Sequence, residues 1–229
     1  MPLVVYILGL TIFSLTTSEF MVAGMMQSLT QAFGVSVTQI GYLISLYAIG
    51  MVVGGPLLTV GLLKLRVPNK KALLWLLGFY AIAQSVAASA TSYDIMAIAR
   101  VVTGVAGSAC FGVSLAICAE IVAVESRGRA ASIVVGGLML ATVLGVPIAT
   151  IIDQHWGWRA SFWLVVALAM LCTVVITFLV PRAKTSATVS LGAELAEFKN
   201  RHLWAAYATS GLIIGATFAA FSYFAPILT

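Results

Sequence analysis

The sequence predicts an all-α polytopic membrane protein: a six-helix bundle built as an inverted three-plus-three repeat, followed by a seventh, incomplete span. Three observations carry this. Of 229 residues, 62% are hydrophobic and 8% are charged, with a mean hydropathy of +1.10, whereas a soluble domain carries about 25% charged residues. The apolar residues fall in runs of about 20, enough to cross a hydrocarbon core as helix, separated by short polar clusters. A G-x-P-[L/I]-x-T string occurs in the second run of each group of three. Such a composition excludes an ordinary cytosolic enzyme, a disordered chain and a disulfide scaffold.

The complete runs are Leu3–Met26, Thr38–Leu63, Ala72–Ala90, Asp94–Ala119, Ala130–Ile152 and Ala160–Val180, and a seventh starts near Leu203. They are too long for strands and do not alternate with period two. No Lys or Arg precedes the first run, which also exceeds a signal core of about 7–15 residues, so it reads as a retained span. The organisation expected is a transmembrane bundle over 1–180, a cytoplasmic interdomain loop over 181–202 and the start of a second bundle over 203–229. Within that loop Leu191, Leu195 and Phe198 fall at helical spacing, which fits either a short interfacial helix or a flexible linker.

Ten basic residues lie in alternate loops: Lys64, Arg66, Lys70, Lys71, Arg127, Arg129, Arg182, Lys184, Lys199 and Arg201. The opposite loops hold Arg159. The positive-inside rule places the ten, and with them the N-terminus, in the cytoplasm. This distribution leaves no continuous basic face for a phosphate backbone, so no nucleic-acid partner is expected despite the net charge of +5. Cys110, Cys118 and Cys172 sit inside apolar runs with no CxxC spacing, which suits buried small hydrophobes rather than metal ligands or disulfides. No HExxH, Walker A or GxSxG string occurs, and the two histidines lie in separate loops, so neither catalytic nor metal-binding residues nor a cofactor are expected.

The repeat pairs Gly54-Gly55-Pro56-Leu57-Leu58-Thr59 in span 2 with Gly145-Val146-Pro147-Ile148-Ala149-Thr150 in span 5, 91 residues later. One copy sits near the cytoplasmic end of its helix and the other near the outer end, as an inverted repeat requires. Small residues four apart suit close helix contacts: Gly137, Ala141, Gly145 and Ala149 in span 5, Gly104, Ser108 and Gly112 in span 4, Gly50 and Gly54 in span 2. Such stripes serve static packing or a surface along which helices slide. Pro147 removes a helix donor and is expected to bend span 5.

Charges inside spans are few. Glu19 lies about seven residues from the outer end of span 1 and Arg100 about six from the outer end of span 4, hence ~10 Å and ~9 Å deep at 1.5 Å per residue. Each costs roughly 2.5–3.5 kcal/mol at a bilayer centre and somewhat less here. Glu19 reads as a proton-binding carboxylate whose affinity alternating exposure would switch, or as a group bonded to Thr16 or a neighbouring helix. Arg100 reads as a permanent charge that pairs with Glu19 or an anionic substrate group, or as a side chain snorkelling outward. These two, with Thr16 and Thr103, are the candidate coupling and cavity residues. Asp94 and Asp153, at outer helix ends, are expected to be solvated, and Glu120, Glu125, Arg127 and Arg129 to form weak salt bridges.

These residues resemble the major facilitator superfamily, specifically its drug:proton antiporter group of arabinose-efflux-like and chloramphenicol-efflux-like members. Thr17-Ser18-Glu19-Phe20 followed by Gly24 is similar to a T-x-E-F-x-x-x-G pattern. Phe33-Gly34-Val35-Ser36, Gly41 and Tyr47 follow. Arg100 to Gly104 is similar to the R-x-x-x-G motif, Arg127-Gly128-Arg129-Ala130 comes next, and Gly136 with Gly145-Val146-Pro147 is similar to the antiporter motif G-x8-G-x-P. Gly157 to Trp163 (GWRASFW) matches a common family segment, and Phe221 to Pro226 looks like a seventh helix of such members. Two positions depart: Thr59 stands where the loop motif after span 2 carries an acid, although Arg66, Lys70 and Lys71 keep its basic end, and Ala149 stands where many members have glycine. The resemblance implies about twelve helices in two halves, a substrate cavity between them, and residence in a bacterial inner membrane. The chain then looks like a fragment whose C-terminal half is missing. The implied function is proton-coupled export of a small drug-like or sugar-like substrate. The alternatives are a carrier for one metabolite, or a truncated membrane module that transports nothing.

Overall fold

The computed structural model describes residues 1–180, 201, 204–214 and 216. Among the described residues, six helices are long and apolar enough to cross a membrane: span 1, Leu3–Gly24; span 2, Val37–Lys64; span 3, Asn69–Ala88; span 4, Tyr93–Ile121; span 5, Val124–Trp156; and span 6, Trp158–Leu179. Each corresponds to one run read from hydropathy. The chain divides into two compact units, Met1–Thr185 and Ser186–Thr229. In the second, Trp204–Ile214 is a shorter apolar helix where a seventh span is expected. Of the readings placed on 181–202 only Arg201 is described, in helical conformation; the remainder, and Phe221 to Pro226, lie outside the described residues.

Local chemistry sets the helix ends. Ser36 opens span 2 with a capping box, its hydroxyl accepting from the Gln39 amide while the Gln39 side chain accepts from the Ser36 N–H. Ser92 caps span 4 in the same sense. Span 2 ends in a paired closure, Val67 N–H to Leu62 C=O and Arg66 N–H to Leu63 C=O, with Arg66 at φ 50° in the left-handed role glycine usually fills. Gly157, at φ 83° and ψ 160°, joins spans 5 and 6 in a region that side-chain-bearing residues avoid. Lys70 donates to the Thr177 and Val180 carbonyls and so caps the last turn of span 6 with a cation. Asn69 donates to Glu120 at 2.6 Å, which ties the segment after span 2 to the end of span 4.

The packing follows the sequence repeat. Span 4 lies against spans 2 and 3, span 1 lies against spans 5 and 6, and spans 3 and 6 meet each other. Exchanging spans 1–3 with spans 4–6 maps this set of neighbours onto itself, so the two triplets are intertwined. The copies of G-x-P share a second feature. A five-residue π segment, Gly50–Gly54, precedes Gly55-Pro56, and another, Ala141–Gly145, precedes Val146-Pro147. Proline lacks an N–H, and a π turn reorganises the local hydrogen bonding so that the helix continues without it. Span 5 thus accommodates Pro147 as one continuous helix.

Most glycines of the repeat face backbone or short side chains. A Cβ at Gly50 would strike the Val101 carbonyl, at Gly54 Val105, at Gly55 Ser108, at Gly104 the Tyr47 carbonyl, and at Gly145 Thr17. Two expectations fail here. Gly112 is exposed, and a Cβ added at either Gly112 or Gly136 would meet no atom within 4 Å, so neither is a packing glycine within the described bundle.

The acidic outer end also departs from expectation. Asp94 is exposed, but Asp153 is buried and accepts from the Ser28 hydroxyl at 2.6 Å. Span 1 breaks at Met25, and the short helix Met26–Phe33 brings Ser28 to the end of span 5. On the other side Arg127 and Arg129 are exposed. Among the described residues, Glu125, Arg127 and Arg129 form no ion pairs with one another. The three cysteines are free and buried.

Candidate functional site

Glu19 lines a cavity of about 110 Å³ between spans 1, 2, 4 and 5. Its neighbours there are Ile12, Leu15 and Thr16 of span 1, Tyr47 and Met51 of span 2, Gly107 and Phe111 of span 4, and Leu138 of span 5. Glu19 is the one charged residue among them. The volume falls below the roughly 300–1,000 Å³ of drug-sized sites. Among the described residues the Glu19 carboxylate forms no hydrogen bond or ion pair, so the expected bond to Thr16 is not made; Thr16 stands beside it as a second polar group on the wall.

Arg100 does not snorkel. It is fully buried, and its guanidinium is held on backbone rather than on a carboxylate. Nη1 donates to the Ser18 carbonyl at 2.8 Å, Nη2 to the Glu19 carbonyl at 3.0 Å and Nε to the Leu43 carbonyl at 3.5 Å. The plane lies over the Tyr47 ring, 4.3 Å from its centroid, a cation–π arrangement strengthened by dehydration. Arg100 therefore sits directly behind the turn that carries Glu19, separated from the cavity by Tyr47 and span 1. Helical phase places it there, with Ala99, Thr103 and Ala106 buried on the same side of span 4. Thr103 donates to the Ala99 and Arg100 carbonyls of its own helix and does not reach the cavity.

The sequence pattern therefore locates Glu19, Arg100 and Thr16 but not the groups that join them. Ser18 is buried, its carbonyl accepts from Arg100, and its hydroxyl donates to Gln84 Oε1 of span 3 at 3.1 Å. Neither residue carries charge: Ser18 stands among Thr16, Thr17 and Glu19, and Gln84 beside Ser85, in otherwise apolar runs. Gly54, Gly55, Gly104 and Gly145 stand at helix contacts around the site, whereas Pro56 and Pro147 are exposed; Arg66, Lys70, Lys71, Arg127 and Arg129 lie at the loop ends of the spans.

Two interlocked helix triplets of membrane-spanning length, with a carboxylate on the wall of a cavity between them, fit a multi-pass membrane protein. The chain belongs to the Major Facilitator Superfamily, whose family profile matches residues 8–229. It is 34% identical, over its whole length, to a chloramphenicol resistance protein of Streptomyces lividans, of which it covers 59%. It is 31% identical to the inner membrane transport protein YdhP of Escherichia coli over 96% of this chain and 56% of that one. With the putative transporter AraJ of Escherichia coli it shares 29% identity over 100% of this chain and 57% of that one. The chain thus spans a little over half the length of these curated relatives. Among solved structures, its fold is similar to that of the proton:xylose symporter XylE, with a TM-score of 0.64 at 18% identity over 76% of this chain and 43% of that one. A bacterial homolog of the human lysosomal transporter Spinster gives a TM-score of 0.63 at 17% identity over 82% of this chain and 46% of that one.

Proposed function

We propose that the chain forms the N-terminal half of a proton-driven exporter of small, apolar or sugar-like molecules in a bacterial inner membrane. The observation that carries this is the unpaired Glu19 carboxylate on the chamber wall, with a fixed guanidinium behind the same helical turn. A carboxylate in that position costs free energy, and ionisable groups at such depth usually mark a proton or substrate path. Arg100 supplies a constant charge fastened to the Ser18 and Glu19 carbonyls, so a rocking motion that changes the carboxylate's contact with water changes its proton affinity against a fixed neighbour. Proton entry from outside and release inside would then drive substrate outward as the two bundles rock about the chamber. The mostly apolar wall suits substrates of varied shape, and the similarity to a chloramphenicol resistance protein supports export.

The test is Glu19→Gln in the protein carrying both bundles. Proton-driven chloramphenicol transport in everted vesicles, and the proton release it elicits, are expected to fall to background while the amount in the membrane stays unchanged. Unaltered transport with an unaltered pH profile would remove Glu19 from the coupling.

In the orientation proposed, the loop after span 2 and the N-terminus are cytoplasmic. Lys71 is exposed there and the native cysteines are buried, so Lys71→Cys gives a single accessible thiol. A membrane-impermeant maleimide is expected to label it in inside-out vesicles and not in intact cells. The reverse pattern would invert the topology.

A further inference from the structure

We propose that Gln84 of span 3 is a positioning residue for the Glu19–Arg100 arrangement, acting through Ser18. The inference rests on the reading of Glu19 as the proton carrier. Span 3 contributes no residue to the chamber lining; Tyr80 stands near Gly107 behind it, and Gln84 makes a hydrogen bond from span 3 to the Glu19 turn. Gln84 is fully buried in the interior of the bundle. Its Oε1 accepts from the Ser18 hydroxyl at 3.1 Å, and that same hydroxyl lies 3.4 Å from Arg100 Nη1, which it can serve as acceptor. Arg100 in turn donates to the Ser18 and Glu19 carbonyls. An amide on span 3 thus orients a hydroxyl on span 1, and that hydroxyl sits within the hold of span 4 on the Glu19 turn.

Packing does not explain an amide here. Gln84 Nε2 is buried with no protein hydrogen-bond partner, and an unsatisfied buried donor is costly in a way that a leucine of similar volume would not be. The amide is retained at a site where only half of it is used, and the half in use aims at Ser18. A polar group kept at such a cost suits a function of alignment, because a hydrogen bond fixes direction and an apolar contact does not. The ionisable groups around Glu19 are Arg100 of span 4 and Tyr47 of span 2, with Tyr80 of span 3 one turn before Gln84. Span 5 presents Leu138 to the chamber.

The experiment reads the titration of Glu19 itself and needs no substrate. In the full two-bundle protein, purified and reconstituted, infrared difference spectra across pH contain a protonated-carboxyl band identified by its loss in Glu19→Gln. Gln84→Leu and Ser18→Ala are each expected to move its midpoint in the same sense by about half a pH unit or more, the worth of one buried hydrogen bond. The Ser18→Ala/Gln84→Leu double variant is expected to move it no further than either single change, because both cut one link. Removing both partners leaves no new unpaired group, so the double variant remains measurable where a single one folds poorly. A wild-type midpoint in all three, or shifts that add, overturns the inference. Absence of any carboxyl band lost in Glu19→Gln overturns instead the reading of Glu19 as proton carrier, so the two failures are distinguishable.

Discussion

Arg100→Ala is expected to loosen the bundle itself, with a loss of about 2–5 kcal/mol of stability against unfolding in mild detergent. The figure follows from the bonds removed. The guanidinium makes three backbone contacts, to Ser18, Glu19 and Leu43, from a fully buried position. Interhelical hydrogen bonds in membranes average roughly 0.6 kcal/mol and reach about 1.7, and the vacated volume adds a packing term. Arg100 reaches spans 1 and 2 from span 4, so three helices lose a common fastening. Arg100→Lys is expected to restore no more than about 1 kcal/mol of this. An ammonium is a point donor without the planar fork that serves three carbonyls while lying flat on Tyr47. Full stability in Arg100→Ala, or full rescue by lysine, would show that the contacts to backbone do not hold the bundle.

From sequence alone, a Glu and an Arg at similar depth on spans 1 and 4 suggest an ion pair. The structure instead turns Arg100 behind span 1, where carbonyl oxygens accept from it, and leaves the carboxylate facing the chamber. Charge and depth are legible from hydropathy, but which side of a helix a long side chain leaves by depends on the helices around it. Asp153 shows the same limit. Its burial depends on a break at Met25 that folds Met26–Phe33 against span 5, and no periodicity marks such a fold. Gln84 and Ser18 carry no charge and so stand out weakly in apolar runs. The six spans, the inverted repeat and Glu19 are legible because each rests on length, spacing or charge, which survive any choice of tertiary neighbour.

The second large effect concerns glycines that look alike in sequence. In an α-helix each step of four residues advances the stripe by about 40° beyond a full turn, so by the second step it has drifted about 80°. In span 4 Gly104 therefore lies against the Tyr47 carbonyl, while Gly112, two steps on, is exposed with nothing near it. Span 5 escapes the drift because its π segment, Ala141–Gly145, takes up an additional residue within the turn, and Gly137, Ala141, Gly145 and Ala149 all remain buried. Gly104→Ala is accordingly expected to destabilise the bundle by about 1–3 kcal/mol, the usual cost of overpacking, because the atom it meets is backbone and cannot rotate away. Gly112→Ala is expected to be neutral or slightly stabilising, since alanine favours helix by up to about 1 kcal/mol over glycine. Unfolding curves in mild detergent compare the two directly, and equal effects would sink the assignment of the span 2 contact to Gly104. The consequence reaches the site. Tyr47 is both the ring beneath Arg100 and a wall of the Glu19 cavity, so a methyl group that moves its backbone displaces the surface on which the buried charge rests.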